Sequence, residues 1–196
     1  MGCADGYLAS RLAGQGLDVT GVERAGWYTP PGPAGVRLIE GDLDQGIPQE
    51  VGGGFDYVIC ADILEHLRDP GRLLREVRAL LKPSGRLIAS LPNSGNLYFR
   101  LVVLSGRFPK QDRGLFDRTH IHFFTWDGWS ELFAGQGFRF ETVQPSGIPV
   151  GLAFPAWQGS APIRAAEALS YGSARAWKSL FAYQFIVTAT AGEPEA

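Results

Sequence analysis

The run FDYVICAD, Phe55 to Asp62, is apolar at nearly every position, and it leads into ILEHLRDPGRLLREVRALLKPSG, where Leu73, Leu74, Val77, Leu80 and Leu81 recur at helical spacing. A strand apolar on both faces has to be covered on both, and an amphipathic helix beside it supplies one cover. After a Pro-Ser-Gly stop, RLIASLP forms the next strand. Upstream lie two more short runs, LDVTGVE (Leu17 to Glu23) and GVRLIEGDL (Gly35 to Leu43), and a glycine turn, Gly2-Cys3-Ala4-Asp5-Gly6, that feeds a helix from Tyr7 to Ala13. Strands alternating with helices in this way predict an α/β chain with a doubly wound, mostly parallel sheet. Downstream, NLYFRLVVLSG, DGWSELFAGQGF and IRAAEALSYGSARAWKSLF read as helices, RFETVQPSG as a strand, and YQFIVTATA as a last strand antiparallel to it.

With 196 residues, 45% of them hydrophobic and 19% charged, one core suffices, so residues 1–196 are expected to form a single domain. Segments 93–122 and 148–181 are the additions expected to cover a ligand over the strand ends. Within the second, Trp157, Tyr171, Trp177 and Phe181 are expected to serve core and lid packing. The net charge is −2 and Lys and Arg are scattered without runs, which argues against a nucleic-acid partner. No apolar stretch is long and uninterrupted enough for a transmembrane segment, leaving peripheral membrane contact at most. Two cysteines, Cys3 and Cys60, and no leader-like start fit two free thiols in a cytoplasmic protein. The AGEPEA tail is expected to be disordered.

The opening turn carries the chemistry. A glycine turn normally follows a buried strand and aims helix N–H groups at a ligand, yet here only Met1 precedes it. The first central strand is therefore expected to be missing from the chain, with Met1 an internal start or a fragment boundary. Glu23 lies 21 residues beyond Gly2 at the end of the next strand, where a carboxylate can accept both ribose hydroxyls. Asp42 ends the following strand and can accept from an adenine amino group. An NAD-binding oxidoreductase also uses a glycine turn and a ribose acid, but its fingerprint needs a small residue where this chain has Tyr7.

The stretches GCADGYLA, VTGVE, EGDL, FDYVICADILEHLRDPGRLLREVRALLKPSGRLIASLPN and LFDRTHIHFFT resemble the class I S-adenosylmethionine-dependent methyltransferases over nearly the whole chain. The resemblance implies that Gly2, Ala4 and Gly6 line the methionine part of the cofactor. Glu23 would hold the ribose with Arg24 beside it, Asp42 and Leu43 would bracket the adenine, and Ala61 would complete the cofactor set. Ala4 departs from the family's middle glycine. His120, which fits the D-R-T-H pattern, is the leading general base, with His66 second and Asp62 as an orienting partner near the methyl group. In THIHFF, alternation predicts His120 and His122 on one side, with Ile121 and Phe123 on the other.

No metal is expected. The alternative is a site of Asp62, Glu65 and His66, sharing a helical face and completed by a later histidine, as in some metal-dependent O-methyltransferases. The resemblance implies methyl transfer to a hydroxyl of a small-molecule or glycan acceptor; the alternative is an inactive scaffold that keeps the fold.

Overall fold

In the computed structural model, which describes residues 1–27 and 34–192, strand and helix alternate as the sequence predicts. The order is α1 (Tyr7–Ala13), β1 (Val19–Glu23), β2 (Val36–Glu40), β3 (Phe55–Ala61), α2 (Pro70–Leu80), β4 (Leu81–Pro92), α3 (Leu97–Leu104), α4 (Trp126–Gly135), β5 (Phe138–Pro145), α5 (Val150–Ala153), α6 (Ala161–Ala176), α7 (Lys178–Phe181) and β6 (Gln184–Ala191). Parallel β1 and β2 form one sheet, and a second runs in the order β3-β4-β6-β5. In it β3 and β4 are parallel, while β6 runs antiparallel to both β4 and β5, as expected for the last strand. Met1 to Cys3 tie the two sheets together: the Met1 amine donates to the Ile59 carbonyl at 2.8 Å and the Gly2 N–H to the Val22 carbonyl at 2.9 Å. Of the AGEPEA tail, Ala191 closes β6, and residues 193–196, on which the expected disorder falls, lie outside the described residues.

The 63–85 stretch is shorter in helix than its periodicity suggests. Residues Leu64–His66 form a separate 3-10 turn, and α2 begins only at Pro70, where proline is tolerated because its absent N–H would be unsatisfied anyway. Asp69 caps α2 by accepting from the Arg72 N–H at 2.8 Å. The Pro-Ser-Gly stop ends the helix and is then absorbed into an irregular start of β4, where the register shifts between Phe55 and Tyr57 of the partner strand.

The core confirms the face assignment. Leu73, Leu74 and Val77 of α2 are buried in one cluster with Leu87, Ala89 and Leu91 of β4, Val187 and Ala189 of β6, and Trp129 and Phe133 of α4. The Trp129 indole N–H donates to the Pro92 carbonyl at 2.8 Å, fixing the end of β4 where the chain turns into the first added segment. There Asn93 and Asn96, both fully buried, donate to the Ala182 carbonyl at 2.9 Å each, joining the start of α3 to the end of α7. Of the four aromatics expected to serve core and lid packing, Phe181 packs against the core cluster, whereas Trp157, Tyr171 and Trp177 are 63%, 48% and 59% exposed and so lie outside it.

Both cysteines are free thiols. Burial pushes the Cys60 thiol up to about 11 and also raises that of half-buried Cys3. A disulfide reagent such as DTNB is therefore expected to titrate no more than Cys3 in the native protein and two thiols after unfolding. Two fast native thiols, or a mass two hydrogens short, would contradict this packing.

Candidate active site

Two neighbouring features face the carboxyl ends of the strands. The first is the glycine turn. Gly2, Ala4 and Gly6 all adopt the left-handed backbone, with φ of 64°, 46° and 77°. Gly6 in that conformation starts α1 as its N-cap. A Cβ on Gly2 would lie 2.9 Å from Ile63 Cδ1, so the turn is packed directly against the segment that leaves β3 at Ala61. The Glu23 carboxylate accepts from the Ala4 N–H at 2.5 Å and from the Arg24 N–H at 2.8 Å. Ionised carboxylates offer about four lone-pair positions, so this anchoring leaves room for further donors.

At the end of the next strand, Asp42 accepts from the Arg24 guanidinium at 2.9 Å and from the Asp44 N–H at 3.0 Å. The hydrogen bond from Arg24 is the chief reason the Asp42 carboxyl lies below the usual carboxylate range. Leu43 beside it is buried. Partly exposed carboxylates thus stand at two adjacent strand ends, beside a left-handed turn packed closely on Ile63, and each has lone pairs that could accept from the hydroxyls and amino group of a nucleoside. Arg24 meets this site by pairing with Asp42.

The second feature is a cavity of about 180 Å³, lined by Asp62, Glu65, His66, Asp117, His120 and Gln184, with Arg113, Leu115 and Tyr183 also on its wall. Asp62 stands between turn and cavity. Its φ of 50° is strained for a residue with a side chain. Ser90 of β4 and Gln184 of β6 hold it there, each donating to Asp62 Oδ1 at 2.7 Å, while the Asp62 N–H donates to Ser90 Oγ at 2.8 Å. Three neighbouring strands thus fix one carboxylate. Ser90 and Gln184 carry no local signal in the sequence, because residues far apart in the chain meet only through the sheet order.

Glu65 is the surprise of the cavity. It is 1% exposed, and among the described residues its Oε2 has no hydrogen-bond partner. Burial pushes its carboxyl up to about 8. Its other oxygen, Oε1, lies 3.8 Å from His120 Nε2 and 4.0 Å from His66 Nε2, and the two imidazoles meet edge to face with centroids 4.7 Å apart. These separations exceed hydrogen-bonding distance. Burial lowers the His120 pKa, and the charge of His66 lowers it further. Thr119 Oγ1 lies 3.0 Å from His66 Nδ1 and donates to Asp117 Oδ1 at 2.6 Å. Asp117 and Thr119 are in the LFDRTHIHFFT stretch, where nothing in the local pattern sets them apart from the flanking polar residues.

Two expectations change here. His120 and His122 do not share a side: residues 121–125 are not a strand, and both the Ile121 and His122 N–H groups donate to the Glu65 carbonyl, at 3.0 and 3.2 Å. That forked contact turns His120 toward Glu65 and sends His122 away, its Nε2 2.9 Å from the Leu67 carbonyl and its ring stacked on Phe124. Phe123 stays on the His120 side, 6.1 Å from that ring and packed on Phe99 and Phe108. The group able to hold a cation likewise differs. Glu65, His66 and His120 present ligand atoms within 4.8 Å of one another. Asp62 is outside that group, because Leu64–His66 is a 3-10 turn and Ser90 and Gln184 hold the Asp62 carboxylate.

A family model described as "Methyltransferase domain" matches residues 1–143. A ubiquinone biosynthesis O-methyltransferase from Stutzerimonas stutzeri is 28% identical over 119 residues, covering 57% of this chain and 50% of that protein. The chain spans about half the length of the curated relatives it matches. Among solved structures, an S-adenosylmethionine-dependent methyltransferase from Mesorhizobium loti superposes with a TM-score of 0.60 at 19% identity, over 96% of this chain and 87% of that one. The magnesium protoporphyrin IX methyltransferase of Synechocystis, solved with bound SAH, gives 0.56 at 18% identity over 96% and 70%. At these identities the structural likeness establishes the fold.

The clamp on Asp62 has a measurable consequence. Asp62→Ala keeps a side chain on a left-handed backbone and removes both accepted bonds, so urea denaturation should show a loss of about 1–3 kcal/mol. Asp62→Gly relieves the backbone strain and should lose less. Equal stability of Asp62→Ala and the parent would show that the clamp is not formed.

Proposed function

The chain belongs to the methyltransferase-domain family, and from that premise we propose that it transfers a methyl group from S-adenosylmethionine to a hydroxyl of a small-molecule or glycan acceptor. The observation that carries this is the meeting at Asp62 and Ile63: the Gly2 turn packs on Ile63, and its neighbour Asp62 lines the cavity together with Glu65, His66 and His120. When bound, S-adenosylmethionine supplies a methyl on a sulfonium centre that departs with the electron pair on sulfur. Gly2, Ala4 and Gly6 would hold the methionine part, Glu23 the ribose hydroxyls, and Asp42 with Leu43, Arg24 and Ala61 the base and its surroundings. Asp62, held by Ser90 and Gln184, orients the groups at the junction. His120 or His66 takes the acceptor's hydroxyl proton as the oxygen forms its bond to carbon. With so good a leaving group, holding the reactants in line matters more than the base.

Segments 93–122 and 148–181 cover the acceptor in this proposal. No helix among the described residues is long and apolar enough to cross a membrane. A cytoplasmic location without a nucleic-acid partner belongs to the same proposal, with the two free thiols in its support.

As an alternative arrangement of the same site, we propose that Glu65, His66 and His120 hold a divalent cation. The unpartnered Glu65 Oε2 favours it, since an unpaired buried carboxylate is costly. A Mg²⁺ or Mn²⁺ binding isotherm that disappears in Glu65→Leu is the expected sign. Unchanged turnover after chelation would remove the cation.

Calorimetry tests the donor half. Charge-assisted hydrogen bonds contribute about 1.5–3 kcal/mol each, so Glu23→Ala should weaken S-adenosylmethionine binding at least about tenfold with the fold intact. Unchanged affinity would remove Glu23 from the site. For the acceptor half, methyl transfer to a library of hydroxylated compounds is expected to fall about 10²- to 10⁴-fold when the base is replaced, by His120→Gln or His66→Gln. Cofactor binding with no transfer to any acceptor would favour an inactive scaffold.

A further inference from the structure

The hydrogen-bond chain behind His66 decides which of its ring nitrogens faces the cavity with a lone pair. Asp117 accepts twice from Thr119: from its backbone N–H at 2.8 Å and from its hydroxyl at 2.6 Å. Partial burial works to raise the Asp117 pKa, yet the two bonds from Thr119, helped by His120 and His66, hold it below the usual carboxylate range. Asp117 is thus ionised at neutral pH and can only accept.

A threonine hydroxyl has one proton, and here that proton is directed to Asp117. Toward His66 Nδ1, 3.0 Å away, Thr119 Oγ1 therefore offers a lone pair. Nδ1 must carry the proton. In the neutral ring the remaining lone pair is on Nε2, the atom that faces Glu65 Oε1 at 4.0 Å on the cavity wall.

We propose that Asp117 and Thr119 are positioning residues that fix His66 in the Nδ1–H tautomer, holding its Nε2 lone pair ready toward the acceptor cavity. The proposal deepens the methyl-transfer reading of this cavity and rests on it for its catalytic meaning. Nε2 can take the acceptor's hydroxyl proton without any rearrangement behind it, because the imidazolium keeps its Nδ1–H bond to Thr119. The same lone pair suits a cation held with Glu65 and His120. In either case the orientation is set before the acceptor arrives, as when a carboxylate orients a histidine from behind.

The chain is local and stiff. The Asp117 and Thr119 contacts form one Asx-type turn, the His120 N–H donates to the Asp117 carbonyl at 3.1 Å, and the forked contact from Ile121 and His122 anchors the loop to Glu65. His66 sits one residue beyond that anchor, so ring and loop are registered to each other by backbone bonds.

The test reads the tautomer directly. Nitrogen-15 NMR of the imidazoles, recorded on the full chain at a pH where His66 is neutral and with chelator present, should show a protonated Nδ1 and a bare Nε2. Thr119→Val removes the hydroxyl and should shift the Nδ1 signal toward the unprotonated range, and Thr119→Ser should restore it. With an identified acceptor, Thr119→Val should lower kcat about 10- to 100-fold, with Thr119→Ser recovering most of the loss. A parent protein with the proton on Nε2, or a Thr119→Val spectrum identical to the parent's, overturns the proposal. Correct tautomers with no methyl transfer to any acceptor would sink the methyl-transfer reading and leave the assignment of Asp117 and Thr119 standing.

Discussion

One backbone carbonyl, that of Glu65, organises the cavity beside the strand ends. By accepting from both Ile121 and His122 it joins the turn after β3 to a loop more than fifty residues later, at 3.0 and 3.2 Å. Because a buried carbonyl has two lone pairs to satisfy, a forked contact of this kind is a natural way to seat an irregular loop on a sheet end. Its consequences radiate outward. His120 is turned inward beside the Glu65 side chain, His122 is turned onto Phe124, and Asp117 with Thr119 is brought behind His66.

The glycine turn depends on a different economy of backbone. Gly2, Ala4, Gly6 and Asp62 all adopt left-handed φ values within one small region. For the two that carry side chains the strain is offset locally: the Ala4 N–H donates to Glu23, and Asp62 is gripped by Ser90 and Gln184. Strain of this sort persists only where neighbours over-determine it, and here it clusters at the junction of turn and cavity.

The strands, the helices and the carboxylates at the strand ends were legible in the sequence because each rests on local patterning. Helix α1 runs from Tyr7 to Ala13 as read, β3 spans the apolar run from Phe55, and Glu23 and Asp42 lie at or just beyond their strand ends. The details that escaped are non-local. Helical periodicity through Leu73, Leu74 and Val77 could not reveal that Leu64–His66 forms a separate 3-10 turn. Alternation in THIHFF failed because residues 121–125 follow the Glu65 carbonyl, with no strand partner. Gln184 carries no local signal at all: it reaches Asp62 only because β6 inserts next to β4.

Whether methyl donor and acceptor meet at Asp62 can be read from a crystal structure of the full chain with S-adenosylhomocysteine. The expected result is ribose hydroxyls on Glu23, adenine between Asp42 and Leu43, and the sulfur beside Asp62 and Ile63, facing the cavity of Glu65, His66 and His120. A product molecule bound elsewhere, or seated on the Gly2 turn with its sulfur directed away from that cavity, would contradict it.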